Sequence, residues 1–354
     1  MKLKKTFGGK KEMDRREFLK KSGQAALAIG AGLSLEAILS ACAGTGPMLK
    51  EEALVVYPPL KGHKVQPPEN GCLVGLTRDY TIAPRVDMVL DYYQEKIGKK
   101  PAFYVLCCAI PFNLFPGNRA TMLAQQGVIS NILPEYNGYT LEEFAEGAAD
   151  QAFKVIAREA VQFGQQYGGF FYTPMRELNG EWFPWGAQPT QAKKAWQRIW
   201  KIFEDNGANE YATWVMEFSC PEQIPQPSTH IDQPNRYYPG DEFVDWIGLS
   251  AYSHSKFYSR ALSFNDISQT TFNQLHKDHP NKPILQAEFG KTQGRSQPHW
   301  LKNAYKTIKS RPGMKAALYW DYPDTNINEN LFLSDESEAA LKEILKDPYW
   351  ITAK

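Results

Sequence analysis

Gly169-Phe170-Phe171-Tyr172-Thr173-Pro174-Met175-Arg176-Glu177 is an apolar run of strand length that ends in a charged pair. A strand buried on both faces reads as a continuous apolar run rather than as an alternation. A carboxylate placed directly after such a run is costly to bury unpaired. The same design recurs 111 residues later, where Pro283-Ile284-Leu285-Gln286-Ala287 leads into Glu288. Outward from these two runs, similar segments lie at residues 72–76, 102–109, 128–133, 212–218, 244–250 and 316–321, making eight with 169–174 and 283–288.

Amphipathic stretches fall between them. In residues 141–163, Phe153, Ile156, Ala157, Ala160 and Val161 recur at helical spacing, and Thr140 with Glu143 forms a capping-box start. Residues 191–203 repeat the pattern with Ala195, Trp196, Ile199, Trp200 and Phe203, and residues 300–308 and 339–345 supply two more helices. Strand–helix alternation over eight units predicts an α/β fold, the (β/α)8 TIM barrel. The competing doubly wound sheet calls for a glycine-rich turn after the first strand, which Gly75-Leu76-Thr77-Arg78 does not supply. Residues 220–241, with five prolines and no helical period, predict a long irregular loop on the catalytic side.

The first 67 residues read differently. Lys2, Lys4, Lys5, Lys10 and Lys11 make a basic start, and residues 14–21 carry Arg15-Arg16 in a pattern resembling a twin-arginine export signal. The general secretion route is the alternative for the same basic start. The apolar run 25–39 is too short and too interrupted to span a bilayer. It closes in Leu39-Ser40-Ala41-Cys42, which resembles a lipoprotein processing site and implies lipidation of Cys42. Met13 is an alternative start. The expected organisation is a signal at 1–42, a tether at 43–67 and a barrel domain at 68–354. An exported, lipid-anchored protein at the cell envelope is expected.

A formal net charge of +1 gives no push toward nucleic acid. Five cysteines without a Cys-x-x-Cys pair, two of them adjacent, argue for free thiols rather than a disulfide framework. Six scattered histidines make no metal-ligand pattern, and neither a phosphate loop nor a serine nucleophile elbow is present, so no metal or cofactor is expected. Nothing calls for an oligomer, and a monomer is expected.

Barrel enzymes carry their chemistry at the C-terminal ends of the strands, which is where Glu177 and Glu288 lie. Two carboxylates facing one cavity are what a retaining glycosidase needs, one as acid/base and one as nucleophile, about 5–5.5 Å apart. Glu135, Glu217 and Asp321 also end or lie in strands and read as subsite hydrogen-bonders or structural partners.

Four segments carry a family resemblance: residues 176–186 (Arg-Glu-Leu-Asn-Gly-Glu-Trp-Phe-Pro-Trp-Gly), residues 237–248 running into the sixth strand, Ala287-Glu288-Phe289-Gly290, and residues 346–350 at the chain's end. Together they resemble glycoside hydrolase family 26, the β-mannanases with some β-glucanases and xylanases, over residues 70–350. The last segment resembles the family's closing helix. The resemblance implies that Glu177 is the general acid/base and Glu288 the nucleophile. It places Tyr252 against the nucleophile, and Trp182 and Trp320 along the central subsites. Arg176, Asn179, Trp185, Trp214 and Tyr322 are further candidates for substrate contact, with core packing the alternative for the last three. Two departures stand out: Arg176 occupies the place of the family's histidine before the acid/base, and Thr173 that of its arginine. A guanidinium beside Glu177 works against an acid unless it turns to a substrate hydroxyl or pairs elsewhere. The resemblance implies a retaining endo-β-glycanase acting on β-1,4-mannan or a related β-glucan. The alternatives are a surface lipoprotein that binds polysaccharide without cutting it and an enzyme that processes endogenous exopolysaccharide.

Overall fold

All eight expected runs form strands, and they close on themselves. In the computed structural model, residues 64–78, 85–110, 114–136, 138–223, 234–257, 262–324 and 329–354 are described. The expected signal, Cys42 and most of the tether lie outside them. The strands are β1 (Cys72–Arg78), β2 (Phe103–Ile110), β3 (Ile129–Tyr136), β4 (Phe170–Tyr172), β5 (Ala212–Ser219), β6 (Trp246–Ser253), β7 (Ile284–Lys291) and β8 (Met314–Asp321). Each pairs in parallel with its sequence neighbour, and β1 also pairs in parallel with β8, which closes the barrel. Every residue of β5, β6 and β7 is buried, so their apolar runs reflect burial on both faces.

The helices are α1 (Val86–Ile97), α2 (Gly117–Gln125), α3 (Leu141–Glu146), α4 (Asp150–Tyr167), α5 (Pro189–Asp205), α6 (Phe264–Asp278), α7 (Gln297–Ser310) and α8 (Asp335–Ile344). The stretch expected as one helix at 141–163 is two. Thr140 and Glu143 make the capping box, but Gly147 ends α3 in the left-handed conformation. A side chain at Gly147 would also collide with Arg198, which pairs with Asp150 at the start of α4. Helices α1, α2 and α6 complete units for which no helix was singled out. Between β5 and β6 the described residues form only short 3-10 turns, and residues 224–233 of that expected loop lie outside the description. The chain's end differs from a closing helix: α8 stops at Ile344, and Trp350–Ile351 adds a short parallel strand beside β1.

Alternate residues face inward. Phe103, Phe171 and Trp246 pack edge to face, with ring centroids 5.2–5.6 Å apart, and form an aromatic floor inside the barrel. Gly75 is required there, because a Cβ would lie 2.5 Å from the Phe103 ring. Val65 joins this inner cluster at the N-terminal ends of the strands, its amide donating to Thr213 Oγ1 at 2.8 Å. Lys64 pairs with Asp245 at 2.8 Å just ahead of β6. These two residues of the expected tether are therefore packed on the barrel. Two to four positions further along the strands from the floor, the inward side chains turn polar, at Thr173 and Glu217 and then at Glu135 and Ser250.

Candidate active site

Glu177 follows the shortest strand of the barrel. After Tyr172 the chain leaves the sheet, and Glu177 takes φ of +49°, a left-handed conformation that costs an L-residue roughly 1–2 kcal/mol. The loop beyond it holds this conformation. Leu178 donates its amide to Glu217 O at 3.2 Å and accepts from Ala187 N at 3.1 Å. Gly186 packs against Gly180 O so closely that a Cβ would lie 1.8 Å from it. The carboxylate accepts from Trp182 Nε1 on one oxygen, and from Gln223 Nε2 (3.2 Å) and Ser250 Oγ on the other.

Glu288 is aimed by a break in register. Leu249 pairs with Gln286, but Ser250 pairs with Glu288, so one extra residue enters β7. Gln286 fills the bulge, its amide donating to Leu249 O (3.0 Å) and Glu288 O (3.1 Å). Glu288 then accepts from Tyr252 Oη at 2.7 Å on one oxygen and from Arg176 Nη1 at 3.1 Å on the other. Gln223 joins the two halves of the site, since its oxygen accepts from the Tyr252 amide at 3.0 Å.

Arg176 lies at the centre and pairs away from Glu177. Its Nη2 donates to Glu135 at 2.7 Å, and the guanidinium lies 4.7 Å from the Phe183 ring and 5.7 Å from the Trp320 ring. Burial alone would weaken its hold on the proton, but the Glu135 and Glu288 carboxylates outweigh that and keep it charged. The Glu288 carboxyl is raised to about 7, because burial and the Glu177 charge, which push it up, outweigh the Arg176 guanidinium and the Tyr252 hydroxyl, which pull it down. Burial also lifts Glu217 well above the ordinary range, with the charges of Glu288 and Glu177 adding to it, so Glu217 holds its proton. Tyr252 is raised by burial and by the same two carboxylates and stays a hydroxyl donor.

The structure brings Arg176, Glu177, Trp182, Tyr252, Glu288 and Trp320 together. Tyr322 lies at the edge, its ring 5.9 Å from that of Trp320. Three candidates for substrate contact are elsewhere. Asn179 is buried and spends its amide on the Ser219 backbone, donating at 2.9 Å and accepting at 2.8 Å. Trp185 is buried beneath Phe183, parallel to it at 4.7 Å, and its Nε1 donates to Arg176 O at 2.7 Å. Trp214 faces outward into the helix layer among Tyr172, Trp196 and Phe203, with Nε1 donating to Asn209 at 2.8 Å. Trp185 and Trp214 pack, and neither ring is open to a sugar.

Ser250, Gln223 and His254 were not singled out from sequence. Ser250 could have been found by parity, because it lies two residues before Tyr252 on one strand and so shares its face. His254 stacks on Tyr252 at 5.4 Å, and its Nδ1 lies 3.1 Å from Glu329. Burial lowers its proton affinity against the pull of Asp324 and Glu329, so the ring stays neutral near pH 7.

This geometry can be set beside known proteins. The family model for glycosyl hydrolase family 26 matches residues 138–322, which include both Glu177 and Glu288. Endoglucanase H of Acetivibrio thermocellus is 24% identical over 218 residues, 58% of this chain and 23% of that protein. Mannan endo-1,4-beta-mannosidase of Bacillus subtilis is 27% identical over 128 residues, 34% of this chain and 30% of that protein. The chain thus spans less than a third of the length of these curated relatives. Among solved structures, the GH26 domain of the endo-beta-mannanase/endo-beta-glucanase from Prevotella bryantii superposes with a TM-score of 0.58 at 17% identity, covering 80% of this chain and 91% of that one. The GH26 beta-mannanase of Bacteroides ovatus gives 0.60 at 14% identity, with 80% and 91% covered. Structural likeness at such identities establishes the barrel alone, whereas the family match spans more than half the chain and runs from before β4 to the end of β8. The chain belongs to glycosyl hydrolase family 26.

Proposed function

We propose that the protein is a retaining endo-β-glycanase that cuts β-1,4-mannan or a related β-glucan by double displacement. The observation that carries this reading is the contrast between two neighbouring buried carboxyls. Glu288 is bound by a cation and a phenol, whereas the donors to Glu177 among the described residues are neutral. The first setting suits a nucleophile that must be charged, and the second a group that gains and loses a proton.

In the first step Glu288 attacks the anomeric carbon while Glu177 gives its proton to the departing glycosidic oxygen, leaving a glycosyl ester on Glu288. In the second step Glu177 takes a proton from water, the resulting hydroxide attacks the anomeric carbon, and Glu288 leaves as a carboxylate. Trp182 and Gln223 are donors and fix the plane of Glu177 throughout. Ser250 has a hydroxyl that can turn, donating to the carboxylate or accepting from the acid. Because Arg176 is drawn to Glu288 and Glu135, it does not oppose the acid role of Glu177. Trp182 and Trp320 offer partly exposed rings on which sugar faces can stack.

The location is inferred from sequence: the Leu39-Ser40-Ala41-Cys42 segment supports a lipid anchor at the cell envelope. Incorporation of labelled palmitate, lost in Cys42→Ala, tests that inference. The activity is tested by following reducing ends on mannan, glucomannan, lichenan and xylan with the parent, Glu177→Ala and Glu288→Ala. Cleavage by the parent that is lost in both variants supports the proposal and names the sugar. Binding without cleavage of any polymer would make the protein a non-catalytic polysaccharide-binding lipoprotein.

A further inference from the structure

Arg176 meets Glu288 in an unusual way. A guanidinium has a fork of donors that suits two-pronged pairing with one carboxylate. Here only Nη1 reaches Glu288, at 3.1 Å, while Nη2 is taken by Glu135 at 2.7 Å and Nε has no partner among the described residues. The faces of the group are packed near Phe183 and Trp320. Packing between rings limits how far the group can move but does not fix its rotation. The shorter contact, to Glu135, stops that rotation and decides which nitrogen Glu288 receives.

We propose that Glu135, at the end of β3, is a positioning residue for the glycosidic reaction: it aims Arg176 at Glu288 and, by sharing the guanidinium, keeps Glu288 basic enough to attack. This rests on Glu288 being the nucleophile. The other titratable groups around the cluster are Cys107 on β2, Glu177 after β4, Glu217 on β5 and Tyr252 on β6. Glu217 and Tyr252 keep their protons, and burial raises the Cys107 thiol to about 11. Of the carboxyls on the neighbouring strands, Glu135 is therefore the one ion-paired to the same cation as Glu288.

Two variants separate charge from aim. Glu135→Gln keeps the shape and one acceptor oxygen but removes a negative charge near Glu288. A like charge lost at such range is worth about one pH unit at an effective dielectric near 20–40. Because Glu288 must be ionised in the free enzyme, the acid limb of kcat/KM moves to lower pH by about that amount. Glu135→Ala removes the aim as well, and kcat at the optimum falls tenfold or more with KM changed less than threefold. The experiment follows kcat/KM and kcat against pH for the full-length parent and both variants, on the polysaccharide that the parent cleaves. A 2-deoxy-2-fluoro aryl glycoside of the same sugar, read by mass spectrometry, identifies the nucleophile in each. Label on Glu288 with the shifted limb and the loss in kcat supports the inference. Label on Glu288 with an unmoved limb in Glu135→Gln, or a rise in KM alone in Glu135→Ala, overturns it and leaves the proposed roles standing. Label on another residue overturns both.

Discussion

Replacing Arg176 with methionine removes the one cation bonded to Glu288 among the described residues while filling similar space. The charge centres of a pair with a 3.1 Å contact lie roughly 4 Å apart, worth about 4 kcal/mol at an effective dielectric of 20. At an effective dielectric of 40 the pair is worth about half of that, ~2 kcal/mol, or roughly 1.5 pH units. Loss of an attractive cation raises a carboxyl, so the Glu288 ionisation, near 7 in the parent, moves up by that amount. A nucleophile that must be charged is then scarcer on the acid side: at pH 6, kcat/KM falls by about 30-fold, and the deficit shrinks as the pH is raised. The assay is a pH series of initial rates at substrate far below KM, with circular dichroism at each pH to confirm the fold. An acid limb at the parent position, with a uniform loss of rate, would refute the electrostatic role assigned to Arg176. A limb displaced downward would show that the sign is wrong.

Four further outcomes follow from the same structure. Tyr252→Phe removes the 2.7 Å donor to Glu288 and is expected to lower kcat by about 10–100-fold with little change in KM, read by steady-state kinetics. Asp321 accepts from Arg78 (2.7 Å), Tyr93 (2.9 Å) and the Leu333 amide (2.7 Å), so Asp321→Asn sets a donor against donors and leaves Arg78 to the more distant Glu338 carboxylate at 4.0 Å. A loss of about 3–5 kcal/mol is expected in denaturant unfolding, and parent-like stability would disprove the network's importance. Glu217 holds its proton when folded but ionises when unfolded above the ordinary carboxyl range, which penalises folding increasingly as pH rises. Glu217→Gln should therefore exceed the parent in stability by up to about 3 kcal/mol at pH 7, with the advantage gone near pH 4; a gain that grows toward acid pH would contradict the assignment. Trp214→Ala should cost about 3–5 kcal/mol in unfolding and leave KM unaltered in the folded protein; a raised KM would return Trp214 to the cleft.

The barrel was legible in the sequence because burial on both faces leaves a plain mark, a run of apolar residues of strand length. The same mark hides which side each residue faces, and that is why the sequence leaves Trp214 open between sugar contact and core packing. Thr213, Val215 and Glu217 take the inward parity, so Trp214 between them points to the helices. Glu177 and Glu288 could be picked out because charge after an apolar run is conspicuous. Their partners were harder to see. Asn179 beside Glu177 looked like a binding residue but folds back on Ser219, since the left-handed turn at Glu177 redirects the chain. The bulge that aims Glu288 depends on a register mismatch between two strands, a property no single stretch contains. Helix α6 is hard to see because Ser268 and Thr271 interrupt its apolar stripe, whereas α1 carries an unbroken one (Val86, Val89, Leu90, Tyr93 and Ile97) that the reading of the sequence did not use; the division between α3 and α4 rests on one glycine that also makes room for Arg198.

Val65 and Lys64 fasten the incoming chain to the N-terminal rim of the strands, while Glu177 and Glu288 open at the C-terminal rim. Anything that pulls on the chain ahead of Lys64 therefore pulls on the pole opposite the cleft. Load on that segment would be taken up by the Lys64–Asp245 pair and the Val65–Thr213 bond, away from Glu177 and Glu288.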